Sequence, residues 1–324
     1  MPEVLEARVA VVIPCYKVIP HILKVIAGIG PECCLIYVVD DCCPDGSGRH
    51  VSEHCRDPRV RVLTNPQNRG VGGAVKHGYA AALAEGMDIV VKIDGDGQMD
   101  PALLALFIEP ILDGEADYTK GNRFLELHSL KAMPRLRLFG NSLLSFLTKL
   151  SSGYWDLFDP TNGYTAIHRE ALQRLQLDKI SERYFFESDM LFRLNLARAV
   201  VADIPMQAKY ADEVSNLHIR AVAGEFLLKH LRNFGKRIFY QYYLRDMSLA
   251  SFELPLGLLL LLFGGLFGAT QWLESLHSGT PATTGTVMLS VLPIMMGLQF
   301  VLSFLAYDIT SVPRRVLGRK RRNG

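Results

Sequence analysis

The chain has 324 residues and a formal net charge of +2, which leaves room for one large domain or two and implies no nucleic-acid partner. Hydrophobic residues make up 49% and charged ones 21%, a high apolar share for a soluble enzyme, and the excess lies toward the C-terminal end.

The first half alternates short apolar runs with helical patterns. Val9–Ile13 reads as a buried strand stopped by Pro14, and Cys34–Val39 as a second that ends in Asp40-Asp41. Val60–Leu63 and Ile89–Ile93 read as a third and a fourth, with helical spacing over Pro20–Ile29 and Gly72–Glu85. This alternation predicts a mostly parallel, doubly wound α/β sheet that binds ligands beyond the carboxyl ends of its strands. Tyr16, Asp40, Asp41, Asn65–Arg69 and Asp94–Gln98 fall at those ends. Met1–Arg8 carries Glu3 and Glu6 and leads straight into the first strand, so no signal peptide is expected. All six cysteines precede residue 56, and the neighbours Cys33-Cys34 and Cys42-Cys43 match no zinc spacing. They read as small apolar fillers, kept reduced in the cytoplasm. Asn68-Arg69-Gly70-Val71-Gly72-Gly73 lacks the last glycine of a dinucleotide fingerprint, Val75 standing there. It is expected instead to let the backbone pass close to a nucleotide before a helix begins.

The run Met87–Ile93 leads into Asp94-Gly95-Asp96-Gly97-Gln98. Two carboxylates two residues apart at a strand end share one side of the pleat. The flanking glycines leave room for a phosphate-bearing ligand to approach the backbone. Mg²⁺ or Mn²⁺ takes one or two carboxylates plus the ligand's own phosphates. The alternative is an ordinary turn, where Asp and Gly also crowd.

Within Ile219–Met247, Ala223, Leu227, Leu231, Phe234, Ile238 and Tyr242 fall on one helical face, with Lys229, Arg232 and Lys236 opposite. The pattern suits a helix on an anionic membrane surface, a helix packed on the domain, or each on different parts. Leu254–Leu273 and Ser278–Tyr307 hold no charged residue, and crossing a bilayer core takes roughly 20 helical residues. They predict a transmembrane hairpin turning around Glu274–Pro281, two buried helices of a soluble protein being the alternative. Arg232, Lys236, Arg237 and Arg245 precede it, and Arg314, Arg315, Arg319, Lys320, Arg321 and Arg322 follow. The turn carries no Lys or Arg, which puts both ends in the cytoplasm. Gly264, Gly265 and Gly268 could support a homo-oligomer.

Taken in order, Val11-Val12-Ile13-Pro14-Cys15-Tyr16, Val38-Val39-Asp40-Asp41 with Asp45-Gly46-Ser47, Asn68-Arg69-Gly70 and Asp94–Pro101 resemble family-2 glycosyltransferases of the GT-A fold. The likeness is closest to dolichyl- and polyprenyl-phosphate sugar synthases. It continues through Gly121–Phe124, Arg137-x-x-Gly140-Asn141, Asp159-Pro160-Thr161-Asn162-Gly163-Tyr164 and Phe186-Glu187-Ser188-Asp189, and covers residues 8–217. The hairpin fits members that carry two membrane helices.

The resemblance implies roles by position. Pro14, Tyr16, Asp40, Asp41 and Asp94 would form the nucleotide pocket, although Lys17-Val18 stands where the family usually has Asn-Glu, which removes an expected ribose contact. Asp94, Asp96 and Gln98 would hold the divalent cation, and Asp96 is the residue on which transfer is expected to depend. Arg123, Arg137 and Asn141 match positions that hold the acceptor phosphate, with Arg135 competing for the place of Arg137 and a solvated basic helix as the plainer reading. Asp159 and Asp189 compete for a base position, Asp159 standing in the better-matched motif, while Glu187 and Asp189 could instead cap a helix. A phosphate monoester is mostly a dianion at neutral pH, so that aspartate would orient or balance charge. His77, His168 and His218 have no second ligand at metal spacing and read as structural.

The chain is therefore expected to divide into a catalytic domain (1–217), an amphipathic juxtamembrane segment (218–250), two transmembrane helices (251–310) and a basic cytoplasmic tail (311–324). The expected reaction moves a sugar from a nucleotide-sugar to a polyprenyl phosphate at the cytoplasmic membrane, with inversion. Two rivals are a processive polysaccharide synthase, whose Gln-x-x-Arg-Trp element neither Trp155 nor Trp272 supplies, and a catalytically silent scaffold that binds nucleotide-sugar.

Overall fold

The computed structural model describes residues 7–124, 135–206 and 219–318. Two compact units form, Met1–Phe234 with Pro313–Gly324, and Gly235–Val312.

Strands apolar on both faces belong at the centre of parallel sheets. β1 (Val9–Cys15), β2 (Leu35–Asp40) and β4 (Ile89–Lys92) are of this kind. With β3 (Val60–Thr64), β5 (Tyr118–Asn122), β6 (Thr165–His168) and β7 (Val201–Pro205) they build a seven-stranded sheet of order β3-β2-β1-β4-β6-β5-β7. β1 pairs in parallel with β2 and β4, β2 with β3, and β5 with β7; β6 runs antiparallel to both its neighbours. The mostly parallel sheet expected from the sequence is present.

Two strand ends differ from expectation. β1 continues through Pro14, which pairs with Val39. A proline withholds one donor without ending a ladder, and the next carbonyl, Cys15 O, still accepts from Asp41 N at 3.1 Å. β4 stops at Lys92, so Asp94 and Asp96 occupy the turn beyond the strand and not the pleat.

α1 (Ile19–Ala27), α2 (Ser47–His54), α3 (Gly70–Ala84) and α4 (Leu104–Leu112) follow the first four strands. Ile22 of α1 and Phe107 of α4 join Ile13, Val38 and Val91 in one buried cluster. Tyr164 is buried there too, its ring stacked on Phe107 at 3.9 Å. The cysteines divide: Cys15 and Cys33 are buried as fillers, whereas Cys34 and Cys42 are exposed, contrary to expectation.

α5 (Arg135–Ser152), α6 (Arg169–Arg174) and α7 (Phe186–Leu196) complete the described α-helices of the first unit with the start of α8 (Ile219–Phe239). On that start the packed residues are His230 and Asn233, while Leu227, Leu228 and Leu231 stay exposed. His230 Nδ1 meets Ser151 Oγ at 2.8 Å, and Asn233 donates to Asp189 at 3.0 Å. Burial pushes the His230 imidazole down to about 4. The predicted apolar stripe divides along its length, Leu227 and Leu231 being exposed while Ile238 and Tyr242 are buried; the side chain of Ala223 lies outside the described residues. The chain re-enters the first unit at Pro313, where Leu317 N donates to the wholly buried Asp117 at 2.8 Å.

In the second unit, α9 (Ala250–Ser278) and α10 (Thr284–Thr310) are long and apolar enough to cross a membrane. They pack through small residues: a Cβ on Gly257 would meet Gly297 O at 3.0 Å, and one on Gly264 would meet Ser290 O at 2.7 Å. Ser290 Oγ donates to Gly264 O at 3.0 Å. Gly264 and Gly268 thus serve the hairpin itself, and Gly265 faces open space. Arg237, wholly buried, makes a two-pronged pair with Asp308 at 2.6 and 2.9 Å, and Tyr242 Oη donates to the same carboxylate at 2.6 Å.

Candidate active site

The order of β1 to β4 reverses direction at β1, the place where α/β sheets open a crevice beyond their carboxyl ends. A cleft of about 630 Å³ lies there, lined by the turns after β1, β2 and β4 and by the start of α3. From β1 come Pro14 and Tyr16, whose ring is half exposed. Lys17 follows with φ +58° and donates its N–H to Cys43 Sγ at 3.1 Å.

Asp40 and Asp41, adjacent at the end of β2, go separate ways. Asp40 takes the N–H groups of Cys43 and Gly48, both at 2.7 Å, and so closes its own loop. A Cβ on Gly48 would stand 2.5 Å from that carboxylate. Asp41 lines the cleft and caps the start of α3 through the N–H groups of Arg69 (2.9 Å) and Gly70 (2.7 Å). It is steadied by Asn65 Nδ2 at 2.8 Å, which is itself held by His77 at 2.8 Å. Of this adjacent pair, both expected in the nucleotide pocket, Asp41 lines the cleft and Asp40 does not.

The glycines also serve the chain's own packing. A Cβ on Gly70, which has φ +80°, would meet Glu182 O at 2.8 Å, and one on Gly72 would meet Ser181 O at 2.5 Å. They admit the chain's own 181–183 segment, and Gly70 also lines the cleft. Gly95 likewise faces Ile13, Val18 and Ile22, and Gly97 supplies φ +78° in the turn.

Asp94 and Asp96 both line the cleft. Gln98 donates its N–H to Asp96 Oδ1 at 3.0 Å, so its evident contribution is from the backbone. Behind Asp94 stands Lys92, 1% exposed, its ammonium 2.9 Å from Asp94 Oδ1 and 3.5 Å from Glu187 Oε1. The 2.9 Å approach is an ion pair without hydrogen-bond alignment, which leaves Lys92 Nζ and Asp94 Oδ1 buried with no hydrogen bond. Burial alone would lower the ammonium's pKa, but Asp94 and Glu187 overcome it and hold it raised. Burial raises the Glu187 carboxyl in turn. Gly163 allows this packing, since a Cβ there would sit 2.4 Å from Lys92 Nζ and 2.5 Å from Asp94 Oδ2. Among the described residues no three His, Cys, Asp or Glu side chains are grouped to hold a metal unaided. Two carboxylates on one wall of the cleft are hard oxygen donors that fit Mg²⁺ or Mn²⁺ completed by a ligand's phosphates.

The remaining expected residues lie elsewhere. Asp159, wholly buried, grips Arg123 in two prongs at 2.7 and 2.9 Å. Burial works to raise its pKa, yet the Arg123 hydrogen bonds and the nearby Lys120 hold the carboxyl below its ordinary value. Asp189 lies within α7 and its oxygens are engaged by Ser181 N (2.8 Å), Arg193 Nε (3.3 Å) and Asn233, so it fastens the fold and does not line the cleft. The side chains of Arg135, Arg137 and Asn141, and all of His218, fall outside the described residues. His168 Nδ1 accepts from Glu170 N at 3.2 Å.

Lys92, Arg183 and Tyr184 were not singled out from the sequence. Lys92 did carry a signal, a lysine inside an otherwise apolar strand, because a buried charge must be paired. Arg183 and Tyr184 line the cleft from a loop far along the chain, and no local pattern marks them.

The family described as Glycosyl transferase family 2 matches residues 10–176. A UDP-N-acetylglucosamine–dolichyl-phosphate N-acetylglucosaminyltransferase of Methanococcus voltae is 32% identical over 154 residues, 48% of this chain and 61% of that one. An undecaprenyl-phosphate mannosyltransferase of Micrococcus luteus is 31% identical over 204 residues, 61% of this chain and 82% of that one. Among solved structures, glucosyl-3-phosphoglycerate synthase of Mycobacterium tuberculosis with Mn²⁺ and UDP-glucose superposes with a TM-score of 0.56 at 20% identity, covering 71% of this chain and 79% of that one. At that identity the likeness concerns the fold.

Proposed function

This chain belongs to glycosyl transferase family 2 and has its GT-A fold, and from that footing we propose that it moves a sugar from a nucleotide-sugar to a polyprenyl phosphate at the cytoplasmic face of a membrane. The observation that carries this reading is the pair Asp94 and Asp96 in a cleft at the sheet's reversal point, in a chain whose similar proteins are transferases named for dolichyl or undecaprenyl phosphate. In this reading residues 1–217 are the catalytic domain, 218–250 the juxtamembrane segment, 251–310 the membrane hairpin and 311–324 the tail.

Tyr16 and Asp41 receive the nucleoside, with Pro14 as an apolar wall. Asp94 and Asp96 would hold Mg²⁺ or Mn²⁺, and the bound cation would supply charge to neutralise the departing diphosphate. Arg123 offers a planar fork to the acceptor phosphate. Asp159 orients that fork, and with its carboxyl held low it is a poor base. None is needed, since the phosphate attacks as a dianion. One acceptor oxygen bonds to the anomeric carbon as the diphosphate oxygen leaves from the opposite side, which inverts that centre.

The exposed Leu227, Leu228 and Leu231, with Lys229 and Arg232 between them, suit a headgroup surface. Trp272, 71% exposed near the hairpin turn, suits the opposite interface. Arg237 is neutralised by Asp308, so the other flanking cations set the orientation.

The test incubates membranes holding the protein with undecaprenyl phosphate and a panel of radiolabelled nucleotide-sugars, then extracts the lipid. Wild type should yield one labelled glycolipid, and Asp96→Ala, correctly folded, none. Full activity of Asp96→Ala, or no labelled lipid with any donor, refutes the reading.

A further inference from the structure

We propose that Arg183 is a catalytic residue of this transfer, its guanidinium gripping the donor's diphosphate from the α3 side of the cleft and taking up charge as the sugar departs. The inference rests on the donor reading above and adds a group to it.

The loop that carries Arg183 is held at many points. Ser181 N donates to Asp189 at 2.8 Å, and Gly73 N to Glu182 O at 3.1 Å. The Glu182 carboxylate pairs with Arg69 and, at 3.0 Å, with Lys76, which also donates to Ile180 O at 3.1 Å. Phe186 N closes the loop on Arg183 O at 2.9 Å. The stem of Arg183 lies where Gly70 lacks a side chain, since a Cβ there would meet Arg183 Cγ at 3.0 Å. Asp189, Gly70 and Gly72 thus share one effect, presenting Arg183 to the cleft as an exposed side chain with no hydrogen bond or ion pair among the described residues.

Charge says what it meets there. The cleft is lined by three carboxylates, Asp41, Asp94 and Asp96. A divalent cation held by Asp94 and Asp96 would have its charge matched by those two carboxylates, so the diphosphate's own charge needs further cations. Arg69 and Lys76 are engaged by Glu182, and Lys92 by Asp94 and Glu187. Lys17 leans over the Tyr16 ring, 5.7 Å from its centre. Among the described cations of the cleft Arg183 remains, and a guanidinium matches phosphate oxygens two at a time.

The experiment measures binding of UDP, GDP, UMP and GMP to the full-length protein in detergent with Mn²⁺ present, by equilibrium dialysis, and turnover with the accepted donor. Arg183→Met should weaken the bound diphosphate about tenfold to hundredfold and leave the matching monophosphate unchanged. Arg183→Lys should fall between. In turnover kcat should drop more than KM for the acceptor rises. Wild type that binds neither diphosphate overturns the donor reading and Arg183's part with it. Wild type that prefers the diphosphate, with Arg183→Met showing the same preference, overturns Arg183 alone.

Discussion

Replacing Lys92 with methionine removes an ammonium that stands between two carboxylates while leaving a chain of similar length in the strand. Lys92 is 1% exposed, and Asp94 and Glu187 lie 2.9 and 3.5 Å away with side chains 26% and 16% exposed. Breaking a buried pair from one side costs about 3–5 kcal/mol, because the charge left behind has no partner. Lys92→Met should therefore destabilise the catalytic unit by about that much. Glu187→Gln alone leaves Lys92 with Asp94 and should cost about 1–2 kcal/mol. In the double variant the methionine faces only one carboxylate, so the total should fall short of the sum by roughly 1–3 kcal/mol. Denaturant titration followed by tryptophan fluorescence gives the three numbers. A second readout moves in the opposite sense. With the ammonium gone, Asp94 offers its full charge to a cation, and Mn²⁺ binding to the nucleotide-free protein, followed by electron paramagnetic resonance, should tighten. Strictly additive penalties, or weaker Mn²⁺ binding in a folded Lys92→Met protein, would refute the reasoning.

Two further outcomes follow from the geometry. His230 has its pKa depressed to about 4 from an unfolded value of 6.5, so it contributes stability above pH 6.5 that is lost as pH falls toward 4. Unfolding of the purified protein should be easier by about 2 kcal/mol at pH 5 than at pH 8 from this group, and His230→Phe should flatten that slope. Gly163→Ala places a Cβ against the movable ends of Lys92 and Asp94. The protein should fold with little loss in a thermal melt while Mn²⁺-dependent nucleotide binding falls at least about tenfold, since a misplaced ligand of about 1 Å is felt in the site.

How much of this was legible depends on which physical rule governs each element. The central strands were readable because a strand buried on both faces must be apolar throughout. Their ends were not, since pairing through Pro14 and the stop at Lys92 depend on neighbours. The carboxylates at Asp40 and Asp41 were correctly located, but consecutive residues point apart, and which one meets the cleft is decided by where Gly48 and the start of α3 lie. Gly70 and Gly72 announced a close approach without naming the approaching partner, residues 181–183. On α8 the 3.6-residue period identified the leucine face, yet periodicity reports contrast between faces, not which side touches protein. Here the start of the helix exposes Leu227 and Leu231 and turns His230 and Asn233 inward, while its end buries Ile238.

The route of the chain through Asp117 has a consequence for the order of synthesis. The catalytic unit gives up its chain at Phe234 and takes it back at Pro313, with Leu317 buttoned to a buried carboxylate. The apolar hairpin is thus spelled out in the middle of that unit's sequence. Asp117 must wait for Leu317, one of its partners, until residues 235–312 have left the ribosome, so the last stitch of the first unit follows the making of the hairpin.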